Sequence, residues 1–295
     1  MLKFDEYKSM VEASLSAYLP ECGPYAAVLK ESMTYSLTVG GKRLRPVLLL
    51  AACDFAGGDI ERVLPFACAV EYIHTYSLIH DDLPAMDDDD MRRGKPSNHK
   101  VYGDAFAILA GDALLNTAAE IMSREAAECE GDAEMMYART RALHEIMKRA
   151  GASGMIAGQT ADIAYENSEA TPELVAYIEE HKTADLIVAP VRAGLMLAGA
   201  SEELLDKFTR YASAAGVAFQ ILDDILDFEG DAELVGKTLG KDSETGKASY
   251  VMVHGADKAK EELHRLTAQA VEAISDYDNN EFFVELAHSL EARKH

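Results

Sequence analysis

Phe4-Asp-Glu-Tyr7-Lys-Ser-Met-Val11-Glu-Ala-Ser-Leu15-Ser-Ala-Tyr18 sets large apolar side chains three and four positions apart. That spacing is the period of an α-helix with one buried face. The same beat returns at Ala138, Ala142, Leu143, Ile146 and Met147. Nowhere does a period of two with β-branched residues persist, so half-buried strands are not expected. Thr171-Pro172-Glu173 reads as a helix start, a capping hydroxyl followed by proline at the first helical position. All eight prolines lie at or before Pro190, where they suit helix starts, turns or kinks. The chain is therefore expected to be all-α. Segments 105–121 and 183–200 are apolar nearly all the way round, which predicts helices enclosed in a layered bundle. No linker, low-complexity tract or fixed repeat intervenes, so one domain over residues 1–295 is expected. Residues 229–249 break the pattern. With four glycines and many charges they read as a long exposed loop, of the kind that usually serves a function.

At 295 residues, 48% hydrophobic and 27% charged, the composition is that of a globular protein. The formal net charge of −23 argues against nucleic acid as a partner, because phosphates attract basic faces. Purely apolar runs are too short to span a bilayer, so no transmembrane segment is expected. The start of the chain lacks the apolar core of a signal peptide. Cys22, Cys53, Cys68 and Cys129 form no CxxC, which points to a reduced, cytoplasmic protein.

Six carboxylates crowd into Asp81-Asp82-Leu-Pro-Ala-Met-Asp87-Asp88-Asp89-Asp90, directly after the apolar helical segment 70–80. A second cluster lies in Phe219-Gln220-Ile-Leu-Asp223-Asp224-Ile-Leu-Asp227. There Asp223 and Asp227 share one helix face, and Ile221, Leu222, Ile225 and Leu226 bury the other sides. Carboxylates on a largely apolar helix are costly unless a cation offsets them. Oxygen ligands without cysteine favour hard cations, and neither cluster has the spacing or the glycine of a calcium loop. Magnesium takes one or two carboxylates and completes its shell with water and phosphate oxygens. Two incomplete clusters thus suggest a diphosphate held by several Mg²⁺. Gly40-Gly41-Lys42-Arg43-Leu44-Arg45-Pro46 and Met91-Arg92-Arg93-Gly94-Lys95 supply cations suited to such an anion. Gly230-Asp-Ala-Glu-Leu-Val-Gly236-Lys237-Thr238 has one residue too many for a P-loop and follows a helix, so a nucleotide triphosphatase is disfavoured.

These motifs, with LAGDALL at 109–115, HKT at 181–183 and GKTLGKD at 236–242, resemble the short-chain trans-isoprenyl diphosphate synthases, most nearly the bacterial farnesyl diphosphate synthases. The resemblance runs through most of the chain. It implies a helical bundle around a deep cavity, the type I isoprenoid synthase fold, commonly as a homodimer. By the same resemblance Asp81, Asp82, Asp87, Asp223, Asp224 and Asp227 bind three Mg²⁺ (with Mn²⁺ as a substitute) and an allylic diphosphate. Arg92, Lys182 and Lys237 hold that diphosphate, while Lys42, Arg45, His74 and Arg93 hold isopentenyl diphosphate. Thr183 and Gln220 face the allylic cation, which isopentenyl diphosphate attacks to give a chain five carbons longer. Tyr76, with Ser77 beside it, sits where a bulky residue stops elongation early and favours a fifteen-carbon product. The segment 229–249 is expected to act as a lid. Three competing readings are a geranylgeranyl diphosphate synthase, a terpene cyclase, and a non-catalytic helical subunit or cation-binding scaffold. A cyclase would not need the Lys42, Arg45 and Arg93 set.

Overall fold

A computed structural model describes residues 2–129, 131–166, 168–230 and 248–292. The chain runs as α1 (Phe4–Ser14), a 3₁₀ turn (Leu15–Tyr18), α2 (Ala27–Thr38), α3 (Leu44–Phe55) and α4 (Ile60–Asp81). A ribbon of β1 (Met91–Arg92) and β2 (Lys95–Pro96) leads to α5 (Asn98–Tyr102), α6 (Asp104–Ala127) and α7 (Ala133–Ala150). Then come α8 (Met155–Ala164), α9 (Pro172–Ile178), a π-helical turn (Glu179–Ala184), α10 (Asp185–Leu197) and α11 (Glu202–Glu229). The last described elements are α12 (Tyr250–His254), α13 (Ala256–Ala273) and α14 (Glu281–Glu291). The all-α expectation holds; among the described residues the only strands are the two-residue pair, registered Met91 to Pro96 and Arg92 to Lys95. Its four residues are too few to show a period in sequence.

Two compact units divide the chain: Met1–Ile146 with Ala193–Gly199, and Met147–Arg192 with Ala200–His295. In the first unit α3 is buried on nearly every side, from Leu44 through Val47, Leu48, Leu49 and Leu50 to Cys53. Helix α4 packs against both α3 and α6. Asp59 starts α4 by accepting from the Glu61 amide at 3.1 Å, and the helix ends at Asp81, ahead of Pro84. Burial pushes the Cys53 and Cys68 thiols up to about 12, so neither is a reactive thiolate at neutral pH. All four cysteines are free.

The enclosed helix expected at 105–121 is only half enclosed. Phe106, Ile108 and Leu109 on α6 are 40–52% exposed, because the inward face is met by the small side chains Ala107, Ala110 and Gly111. By length and composition α6 is also apolar enough to cross a bilayer, although no uninterrupted apolar run in it is. It carries Asp112 and Glu120 and packs on α2, α4 and α5, as a core helix does.

The second unit is built on α11, which packs along α13 and α14. Ser201 caps α11 by accepting from the Leu204 amide. Phe208 and Tyr211 meet Phe283 edge-on, with ring centroids 4.9 and 5.3 Å away, and the Tyr211 hydroxyl donates to the Phe283 carbonyl at 2.7 Å. Thr171 caps α9 as expected, accepting from the Leu174 amide with Pro172 at the first helical position.

Candidate functional site

The first acidic cluster forms where α4 stops. Past Asp82 the backbone turns sharply enough for the Asp87 amide to donate back to the Asp81 carbonyl at 2.9 Å. Asp81 and Asp87 remain half-buried at this rim, whereas Asp82 is only 2% exposed. Burial raises the Asp82 carboxyl above its ordinary range, and Arg92 opposes that rise. Arg92 Nε donates to Asp82 Oδ1 at 2.9 Å, its Nη2 bonds the same oxygen, and Nη2 also lies 3.4 Å from Asp89. The β1–β2 ribbon therefore has a purpose: it folds Arg92 back onto the cluster. Asp82, Arg92 and Arg93 line one cleft of about 350 Å³ with Thr75, Tyr35 and Asn98. The Thr75 hydroxyl is buried there with no partner among the described residues.

Structure separates the basic residues of segment 40–46. Lys42 is exposed and Arg45 half-buried. Arg43 turns inward from a left-handed backbone (φ 55°) and is buried against Glu71 at 2.6 Å and the Leu37 carbonyl at 2.6 Å. Arg45 Nη1 lies 3.3 Å from His74 Nε2. A guanidinium only donates, so Nε2 is the acceptor and the ring is neutral. Burial, with Arg45, Arg93, Arg92 and Arg43 nearby, holds His74 well below the ordinary histidine range. Arg93 itself is folded back, Nη1 donating to the Gly40 carbonyl. Ser77 spends its hydroxyl on the His74 carbonyl at 2.9 Å, while Tyr76 is buried, with its hydroxyl pushed up to about 12 by burial.

The second cluster belongs to the other unit. Asp223 and Asp227 are half-buried, and Asp224 is 8% exposed. Asp224 accepts from Gln220 Nε2 at 2.9 Å and from the Tyr250 amide at 2.8 Å. Gln220 Oε1 in turn accepts from the Thr183 hydroxyl at 2.6 Å. Thr183 and Lys182 both sit on the π-helical turn, an irregularity frequent at functional sites. Lys182 Nζ is fixed by Asp162 Oδ2 at 2.6 Å. The turn rides so close over α8 that a Cβ at Gly158 would stand 2.1 Å from the Lys182 amide nitrogen; only glycine fits. Asp82 and Asp224 are thus buried on protein donors, whereas Asp81, Asp87, Asp223 and Asp227 are half-buried. Lys237, with most of the expected lid, lies outside the described residues.

Sequence reading missed several residues of this frame. Gln159, beside Gly158, has both amide atoms buried with no partner among the described residues. Asp162, three residues on, is 7% exposed on its lysine. Gln159 and Asp162, polar within the largely apolar stretch Met155–Ala164, were the available signal. Glu179 is 5% exposed, its Oε1 has no hydrogen-bond partner among the described residues, and burial, then Asp224 and Glu262, push its carboxyl up to about 8. Asp88, Asp90 and His99 bring one ligand atom each to within 4.8 Å of one another, a trio that was not expected. Lys100 is paired to Asp90 at 2.7 Å.

The Glu179 environment has a measurable consequence. The unfolded chain loses this proton near pH 4.5 and the folded protein holds it up to about 8, so its contribution to stability falls across that window. In EDTA, Glu179→Gln should remove the effect. Its urea midpoint is expected to match wild type near pH 5 and exceed it increasingly towards pH 8; parallel midpoints would contradict the assignment.

Residues 26–283 match the polyprenyl synthetase family model. A farnesyl diphosphate synthase from Geobacillus stearothermophilus is 46% identical over 88% of this chain and 86% of its own length. A geranylgeranyl diphosphate synthase from Cyanophora paradoxa is 43% identical over 93% and 89%. Among solved structures, an apo FPP/GFPP synthase from Zymomonas mobilis superposes with a TM-score of 0.86 at 32% identity, covering 98% of this chain and 97% of the other.

Proposed function

Because the chain belongs to the polyprenyl synthetase family, we propose that it condenses an allylic diphosphate with isopentenyl diphosphate, giving farnesyl diphosphate and diphosphate. The observation that carries this reading is the hydrogen-bonded run Thr183–Gln220–Asp224, which joins the π-helical turn to the aspartate set of the second unit. It spends buried polar groups on orientation, as a site for a developing cation requires.

The donors fit magnesium. All six cluster ligands are carboxylates, and Asp82 already holds a cationic group, the Arg92 guanidinium, in its buried position. Asp81 and Asp87, with Asp223 and Asp227, offer rim carboxylates. Asp82 and Asp224 reach an ion by exchanging a protein donor. Bound Mg²⁺ would neutralise charge on the departing diphosphate and favour C–O cleavage. Arg92, Lys182 and Lys237 then hold the leaving diphosphate, and Lys42, Arg45, Arg93 and His74 hold isopentenyl diphosphate. Neutral His74 serves that role through Arg45: its Nε2 accepts from one guanidinium N–H and steadies the arginine, whose other N–H groups can donate to the diphosphate. Thr183 and Gln220 present oxygen dipoles to the allylic cation. A lid at 229–249 would keep water from it.

The fifteen-carbon product rests on Tyr76, a buried phenol five residues and about 7.5 Å down α4 from Asp81. The relative named for geranylgeranyl diphosphate makes twenty carbons the competing outcome. A homodimer is supported by the apolar exposed side chains Phe106, Ile108 and Leu109 on α6. A cytoplasmic setting is supported by the four free cysteines. Incubation with isopentenyl and dimethylallyl diphosphates plus Mg²⁺, followed by product sizing, tests the whole reading. Mainly C15 product, abolished by EDTA, is expected; no condensation, or mainly C20, would overturn the activity or the product assignment respectively.

A further inference from the structure

Tyr76 has the wrong kind of support for a stop. Among the described residues its buried hydroxyl has no hydrogen-bond partner, so packing is what holds the ring. One turn on along α4, His80 lies edge-on against it, with centroids 5.7 Å apart and planes at 81°. His80 is itself pinned from outside α4. Its Nε2 lies 3.1 Å from the Ile108 carbonyl on α6 and 3.9 Å from Asp112 Oδ1. A carbonyl only accepts, so Nε2 carries the proton. The ring rests directly on the α6 backbone, where a Cβ at Gly111 would stand 2.2 Å from Nε2. Any side chain there displaces the imidazole.

We propose that Gly111 and His80 form a latch that holds Tyr76 in place, making His80 a positioning residue for product length. The inference rests on the prenyl-transfer reading above. Without the latch the phenol has neither a hydrogen bond nor an edge contact on that side, and a growing prenyl tail can push it aside. Ile108 and Gly111 also tie the ruler to α6 rather than to α4 alone, so the product length depends on how these two helices pack.

The test is product sizing with dimethylallyl and isopentenyl diphosphates for wild type, His80→Ala, His80→Gln and Gly111→Ala. His80→Ala is expected to raise the C20:C15 ratio roughly fivefold or more, a modest energetic change of the size a pocket contact supplies. Its rate of first condensation stays within about threefold of wild type, since the five-carbon starter does not reach Tyr76. Glutamine, which can still reach the Ile108 carbonyl, should restore part of the C15 product. Gly111→Ala attacks the latch from α6, away from the aspartates, and should move the ratio in the same direction even where His80→Ala folds poorly. If wild type makes no prenyl product, the activity reading itself fails. If wild type makes C15 and all three variants keep its ratio, the latch alone is refuted.

Discussion

Asp81→Ala and Asp223→Ala are each expected to lower turnover by roughly 10³-fold or more, about 4 kcal/mol of transition-state stabilisation, with the helical circular dichroism unchanged. Both residues sit at the rim of their clusters, half-buried, where loss of a carboxylate removes no core packing. Their partners in the same clusters differ. Asp82 and Asp224 are buried on Arg92, Gln220 and the Tyr250 amide, and their removal would leave those donors unsatisfied. Being half-buried, the positions of Asp81 and Asp223 separate chemistry from folding better than the buried ones. Near-normal rates in Asp81→Ala or Asp223→Ala would favour a scaffold that merely gathers cations.

Arg43→Ala should produce the largest loss of stability. Arg43 and Glu71 are 3% and 1% exposed and meet at 2.6 Å, and Arg43 also holds the Leu37 carbonyl. Truncating the arginine leaves the Glu71 carboxylate buried without its hydrogen-bonded cation, a change worth about 3–5 kcal/mol. The left-handed backbone adds nothing to this, because alanine and arginine bear the same strain there. Lys42→Ala, one position earlier and exposed, should leave the urea midpoint within about 0.5 kcal/mol of wild type and raise KM for isopentenyl diphosphate. Replacing both members of the buried pair by apolar residues should recover much of the loss. An unchanged midpoint in Arg43→Ala would mean that Arg43 belongs with its neighbours in substrate binding.

What the sequence disclosed follows from which forces are local. Helix existence was legible because the apolar spacing from Phe4 to Tyr18 is a local pattern, as were the Thr171 cap and the stop before Pro84. The aspartate clusters were legible because so many carboxylates on apolar helices require an explanation. Which aspartate in each set turns inward was not, since that depends on donors 10 or 26 residues away, Arg92 and the Tyr250 amide. The inward turn of Arg43, between exposed Lys42 and half-buried Arg45, depends on a left-handed backbone and on Glu71, 28 positions on. The π-helical turn leaves no mark in the pattern of Glu179–Ala184, yet it carries Lys182 and Thr183. Exposure along α6 was misjudged because apolar periodicity says which residues dislike water, without saying what covers them.

The proposed function requires that both aspartate sets serve one diphosphate. Calorimetry with a non-cleavable allylic thiodiphosphate and Mg²⁺ tests it most directly, using wild type, Asp81→Ala, Asp223→Ala and the double variant. The account predicts one Mg²⁺-dependent analogue per chain in wild type, loss of that binding in either single variant, and nothing further lost in the double. Single variants that each keep Mg²⁺-dependent binding, with losses that add in the double, would show two independent cation sites and contradict it.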